Sequence, residues 1–134
     1  MKDFKWKVEY STGNEAIDTQ HKKLFTTANS AFSVVEPSKK LDKIKKTILL
    51  LSQYTGTHFS DEEQYMTSIK YPKLEEHRKI HTHIVSQLSL LIKKIPTMKI
   101  GEIERELAYF VQQWIINHIK EEDKKIFAWL NSKA

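Results

Sequence analysis

The chain has 134 residues, enough for one ordinary domain and too few for two, and its 40% hydrophobic and 29% charged residues are those of a globular protein. It contains no cysteine, which excludes disulfides, thiolate metal sites and cysteine nucleophiles and leaves His, Asp and Glu as the available metal ligands. The formal charge of +5 is spread in short groups such as Lys39-Lys40, Lys45-Lys46 and Lys124-Lys125, the pattern of solvated helix faces, so no nucleic-acid partner and no membrane partner is expected.

Only three Gly and three Pro occur, which favours long helices over a turn-rich β fold. Residues 1–7 lack the apolar run of a secretory signal, and no later run approaches the roughly 20 apolar residues of a membrane span. A cytoplasmic location is therefore expected. Residues before about 14 read as an irregular N-terminal arm that Trp6 and Tyr10 pin to the rest.

Four helical segments follow. The first places Ile17, His21, Leu24, Ala28, Ala31, Phe32 and Val35 on one face. The second repeats Leu41, Ile44, Ile48, Leu51, Thr55, His58 and Glu62 at steps of three and four. The third carries Leu74, His77, His81, Ile84, Leu88, Leu91 and Ile95, and the fourth Ile103, Leu107, Phe110, Trp114 and His118. Pro37, Pro72 and Pro96 all fall between segments, where a residue without an N–H donor does least harm. Short connections make sequential helices antiparallel neighbours. The expected fold is all-α: an up-down-up-down antiparallel four-helix bundle over about 14–120, with a short C-terminal helix over about 121–132 in which Ile126, Phe127 and Leu130 pack back.

What interrupts the apolar stripes is informative. His21, His58, Glu62, His77, His81 and His118 all occupy core-facing positions. Burying that many ionisable groups without partners costs several kcal/mol each, about the whole stability of such a domain. A metal removes the cost, because coordination satisfies neutral imidazoles and ionised carboxylates together. The spacing fits: four residues advance about 400° along an α-helix, so His58 and Glu62, and likewise His77 and His81, form chelating pairs about 6 Å apart along the axis. His118 precedes Glu122 by four and Asp123 by five. An ordinary α-helix selects Glu122; Asp123 requires a kink, a widened turn or a break near Lys120, and spacing alone leaves both open. His83, two residues after His81, turns to the outer face.

In this order the residues resemble the ligand pattern of the hemerythrin family, in particular its single-domain bacterial members: His21, His58-x3-Glu62, His77-x3-His81 and His118-x4-Asp123. Ile17-Asp18-Thr19-Gln20-His21 is similar too, as are His58-Phe59 with Glu62-Glu63 and Met66, and Trp114 ahead of Asn117-His118-Ile119-Lys120. The likeness covers essentially the whole chain. It implies that Asp123 is the second carboxylate, whereas related HHE-type bundles place a glutamate at the position of Glu122.

The resemblance further implies two iron ions with a bridging oxo or hydroxo group. His77, His81 and His118 would hold one iron and His21 and His58 the other, with Glu62 and Asp123 bridging. Oxygen would bind at an open position on the second iron, in a pocket for which Phe59, Trp114 and Ile119 are the candidates. Imidazole-rich ligation leans towards reversible binding, whereas oxygen-activating di-iron bundles rely mainly on glutamates. The expectation is an oxygen-binding protein for storage, delivery or sensing rather than an enzyme, monomeric or weakly self-associating, with no catalytic residue of its own. The alternatives are a di-iron oxidase, peroxidase or nitric-oxide-handling protein, and an iron store or sensor.

Overall fold

The computed structural model describes residues 4–33 and 35–133. Helix α1 runs over Glu15–Ser30, α2 over Pro37–Ser68, α3 over Leu74–Lys94, α4 over Ile100–Phe110 and α5 over Lys124–Ser132. Between α4 and α5 the backbone stays helical but widens into two π-helical stretches, Val111–Ile116 and Ile119–Asp123. No strand occurs among the described residues. The fold is an all-α, up-down-up-down four-helix bundle, and the fourth rod is α4, the π stretches and α5 in series.

Local chemistry sets the ends of these helices. Asn14 caps α1 by accepting a hydrogen bond from the Ile17 N–H at 3.1 Å. Pro37 opens α2, where its missing N–H costs nothing. At the far end of α2, Lys70 adopts φ 58°, the Lys70 N–H reaches Thr67 O and the Tyr71 N–H reaches Met66 O. These two bonds close a Schellman motif, and the buried Tyr71 packs in the same cluster as Met66. The arm is tied down by polar as well as aromatic contacts. The Phe4 N–H donates to Asn29 Oδ1 and Asn29 Nδ2 returns a bond to Phe4 O, while Trp6 packs edge-on against Phe25 and Tyr10.

The packing is layered along the bundle axis. A small cluster of Ile17, Met66, Tyr71, Ile126 and Phe127 lies at one end. The large cluster, including Leu24, Leu51, Ile84, Leu107 and Ile116, fills the rest. Buried polar residues fall between the two clusters on every rod, in alternating chain direction. Going up α1 the order is Ile17, His21, Leu24; along α2 it is Leu51, His58 and Glu62, then Met66. Entering α3 it reverses again, from Tyr71 just before the helix through His77 and His81 to Ile84, and the fourth rod runs from Ile116 through His118 and Asp123 to Ile126. Antiparallel neighbours thus bring one polar layer into register.

The expected short C-terminal helix is α5, which the π turn Ile119–Asp123 joins to the rest of the fourth rod. One detail differs from the sequence expectation. Leu41, assigned to the inner face of α2, is 37% exposed. Ser30 at the end of α1 sits 3.1 Å from Thr47 through the two hydroxyls, so the first turns of α2 run past the end of α1 and lack that neighbour.

A left-handed backbone is costly for lysine and free for glycine. Lys70→Gly should raise the unfolding free energy of the metal-free protein by about 0.5–1 kcal/mol in urea titrations. No gain would mean that Lys70 adopts another backbone conformation.

Candidate metal centre

The polar layer brings His21, His58, Glu62, His77, His81, His118 and Asp123 together, each at most 6% exposed. They form two donor groups that share both carboxylates. One is Glu62, His77, His81, His118 and Asp123, and the other is His21, His58, Glu62 and Asp123. In the first, His77 Nε2 lies 2.9 Å from Glu62 Oε1 and 3.1 Å from Asp123 Oδ1. His81 Nε2 is 3.0 Å from Glu62 Oε1, and His118 Nε2 is 2.9 Å from Asp123 Oδ1. In the second, His21 Nε2 is 2.9 Å from Asp123 Oδ2 and His58 Nε2 is 3.5 Å from Glu62 Oε2. Each carboxylate therefore turns one oxygen towards each group.

Asp123 enters the layer because the turn preceding it is wide. In the π stretch Ile119–Asp123 each hydrogen-bonded ring spans five residues instead of four, which returns a side chain five positions on to the face of His118. Asp123 is 0% exposed, while Glu122 is partly exposed and accepts a bond from Lys125 Nζ at 3.1 Å. Of the two carboxylates that spacing left open, the structure turns Asp123 inward.

Two histidines are oriented from outside. Glu63 Oε2, an acceptor only, takes the His81 Nδ1–H at 2.8 Å, and Arg78 holds Glu63 at 3.2 Å. Gln20 Oε1 accepts from His58 Nδ1, and the same amide donates to Asp61 at 3.2 Å. With protons on Nδ1, both rings present Nε2 lone pairs to the interior. Gln20 and Glu63 were not singled out in the sequence as functional. Each directly follows or precedes a cluster residue, and an outward helix position gives no periodic signal of a bond to a buried ring.

Without a cation the arrangement is frustrated. The Nε2 atoms of His21 and His58 lie 2.9 Å apart, and those of His81 and His118 3.1 Å apart. Glu62 Oε2 and Asp123 Oδ2 are buried without an aligned hydrogen bond among the described residues. Burial and then the neighbouring Asp123 charge push the Glu62 carboxyl up to about 8. Burial opposes protonation of His77, yet its bonds to Asp123 and Glu62 carry it up to about 9. Burial, reinforced by His118 and His77, drives His81 down to about 2. Burial would also raise Asp123, but the surrounding rings, His118 first, hold it well below the usual carboxylate range. Ligands about 2.1 Å from one ion in an octahedron sit about 3.0 Å from their neighbours, the spacing these donors already have. The donor set fits a pair of first-row transition ions.

Beside the cluster lies a small cavity walled by Phe59, Trp114 and Ile119, the three candidates from sequence, with Leu24, Thr55 and Ile115. It backs onto His58, His118 and Asp123 and leaves ≈ 10 Å³ for the centre of a water-sized molecule, room for one small occupant. Phe59 stacks on the His81 ring at 3.8 Å. His83 is exposed and packs edge-on against Trp114 at 4.8 Å.

The family model of the Hemerythrin HHE cation binding domain matches residues 12–130. The chain belongs to the hemerythrin family. A Bacteriohemerythrin of Clostridium acetobutylicum is 36% identical over 132 residues, covering 91% of this chain and 97% of that protein. A Bacteriohemerythrin of Campylobacter jejuni is 32% identical, covering 92% of each chain. A Myohemerythrin of Theromyzon tessulatum is 30% identical over 122 residues, 91% of this chain and 89% of its own. Among the described residues no helix of this hemerythrin-family chain is long and apolar enough to cross a membrane.

Asp123→Ala should abolish metal-binding capacity at one or both positions, while Glu122→Ala should leave it within about twofold, as an exposed pair has little worth; equal losses by metal analysis would contradict the inward role of Asp123. Protons on Glu62 and His77 compete with a cation, and both groups are raised. Affinity should therefore increase as pH rises towards about 9, and chelator competition at stepped pH reads this directly.

Proposed function

We propose that the chain holds two iron ions in this layer and binds molecular oxygen reversibly, serving oxygen storage, delivery or sensing. His77, His81 and His118 would hold one iron and His21 and His58 the other, with Glu62 and Asp123 shared between the two and a solvent-derived oxo or hydroxo group completing the pair. The observation that carries this reading is the split of both buried carboxylates, Oε1 and Oδ1 towards three histidines, Oε2 and Oδ2 towards two. Three histidines would fill more of one iron's coordination positions than two fill of the other's, which would leave the second with room for a ligand. When bound, the iron pair supplies the two electrons that reversible oxygen binding requires.

The residues around the pair do the remaining work. Glu63 and Gln20 fix the tautomers and planes of His81 and His58, so that lone pairs face inward before any ion arrives. Phe59, Trp114 and Ile119 form the apolar wall of the adjoining cavity, which limits water and so slows proton delivery. Five imidazoles against two carboxylates keep the layer less anionic than the glutamate-rich sites of oxygen-activating bundles. That balance supports a carrier over an oxidase.

The test is a spectroscopic cycle on iron-loaded protein. After reduction and admission of air, a visible absorption band should appear, and it should vanish on oxygen removal through repeated cycles. Irreversible oxidation with turnover of peroxide or nitric oxide would point to an enzyme instead, and a spectrum indifferent to oxygen to an iron store. His58→Ala should abolish the band, while His83→Ala should leave its oxygen affinity unchanged. Glu63→Ala should weaken iron binding about 10- to 100-fold, the usual loss when a ligand's outer partner is removed.

A further inference from the structure

Thr55 lies one turn before His58 on α2, and it lines the same cavity as Phe59, Trp114 and Ile119. It is 1% exposed, and its Oγ1 has no hydrogen-bond partner among the described residues. Threonines inside helices turn this group to solvent or settle it on the carbonyl one turn earlier. Thr26, Thr67 and Thr82 do the latter here, at 3.1, 2.8 and 3.1 Å. Thr47, also buried, pairs with Ser30. Thr55 departs from all four, and it does so at the wall of a cavity. A buried hydroxyl without a partner is destabilising, so its orientation calls for an acceptor that the protein does not supply.

The cavity has few other polar groups to offer. His58, His118 and Asp123 also line it, but they direct their Nε2 and carboxylate oxygens at one another in the cluster. His118 Nδ1 is unpaired as well, on a ring whose plane is set by its Nε2 contacts. A hydroxyl, by contrast, rotates freely to aim its proton.

We propose that the Thr55 hydroxyl is the hydrogen-bond donor with which this cavity holds its occupant, selecting small diatomic or linear triatomic ligands that carry an acceptor atom. The inference rests on the reading of the cavity as the ligand pocket and adds its polar contact. Apolar walls admit any small molecule, and one fixed donor slows the escape of those that accept a hydrogen bond.

Azide, a linear triatomic acceptor, is the probe. It is titrated into iron-loaded, oxidised wild type, Thr55→Val and Thr55→Ser, with the visible spectrum reporting binding. Valine keeps the shape and removes the hydroxyl; serine keeps the hydroxyl. Thr55→Val should weaken azide about five- to tenfold through faster dissociation, the worth of one neutral hydrogen bond, and Thr55→Ser should stay within about twofold. The infrared stretch of bound azide should shift between H2O and D2O in wild type and Thr55→Ser but not in Thr55→Val. Metal-free Thr55→Val should melt no lower than wild type, because the hydroxyl has no protein partner to lose. Equal azide affinity in Thr55→Val and wild type overturns the proposal. A lower melting temperature for metal-free Thr55→Val overturns it too, by assigning the hydroxyl to the fold. If wild type itself takes up no azide, the pocket reading fails, and this inference with it; that result needs no variant and is therefore distinguishable.

Discussion

Seven ionisable side chains share one buried layer, and their mutual approach is the constraint around which the rest of the molecule is arranged. Five imidazole Nε2 atoms and four carboxylate oxygens converge with separations as short as 2.9 Å. Glu62 Oε2 and Asp123 Oδ2 lack an aligned hydrogen bond among the described residues, while burial and the neighbouring charges raise Glu62 and drive His81 down. Cations between the donors would convert each of these conflicts into a bond. The two apolar clusters on either side then act as clamps, because every rod must set its polar residues at one height while burying Leu24, Leu51, Ile84 and Leu107 on one side and Ile17, Met66 and Ile126 on the other.

Register is the consequence that reaches furthest along the chain. Three rods deliver their donors with ordinary α spacing, His58 to Glu62 and His77 to His81 at four residues, and His21 alone from α1. The fourth must supply His118 and Asp123, five apart, and then return Ile126 to the core. The π turn over Ile119–Asp123 absorbs the extra residue. Such turns give up regular α hydrogen bonding and recur at functional sites, and here the gain is a second shared carboxylate. A second π stretch, Val111–Ile116, carries Trp114 to the cavity wall.

Much of this was legible in the sequence because helical periodicity and burial cost act on the same positions. The apolar stripes located the four rods, and His21, His58, Glu62, His77, His81 and His118 stood out as ionisable residues on those stripes. Asp123 could not be reached by the same reasoning, since periodicity assumes a constant number of residues per turn; only the resemblance distinguished it from Glu122, and the wide turn supplies the physical reason. Gln20 and Glu63 stand within the motifs that carry the resemblance, but their bonds to buried rings were not legible for a related cause: they occupy outward positions, and nothing in their spacing shows that they reach back. Leu41 shows the opposite failure, an apolar residue in phase with the stripe but beyond the end of its neighbouring helix. Thr55 was in phase and passed as core, and its unpaired hydroxyl emerges only from three-dimensional contacts.

The layer is asymmetric, with three histidines in one donor group and two in the other, and the apolar cavity backs onto one histidine of each, His118 and His58. That asymmetry has meaning only if both positions fill. Anaerobic titration of metal-free protein with ferrous iron, read by calorimetry and by iron analysis after gel filtration, tests this most directly. Two irons per chain, with a melting temperature that rises as they bind, is the predicted result. Saturation at one iron or fewer, or two irons bound without any gain in stability, would contradict the account.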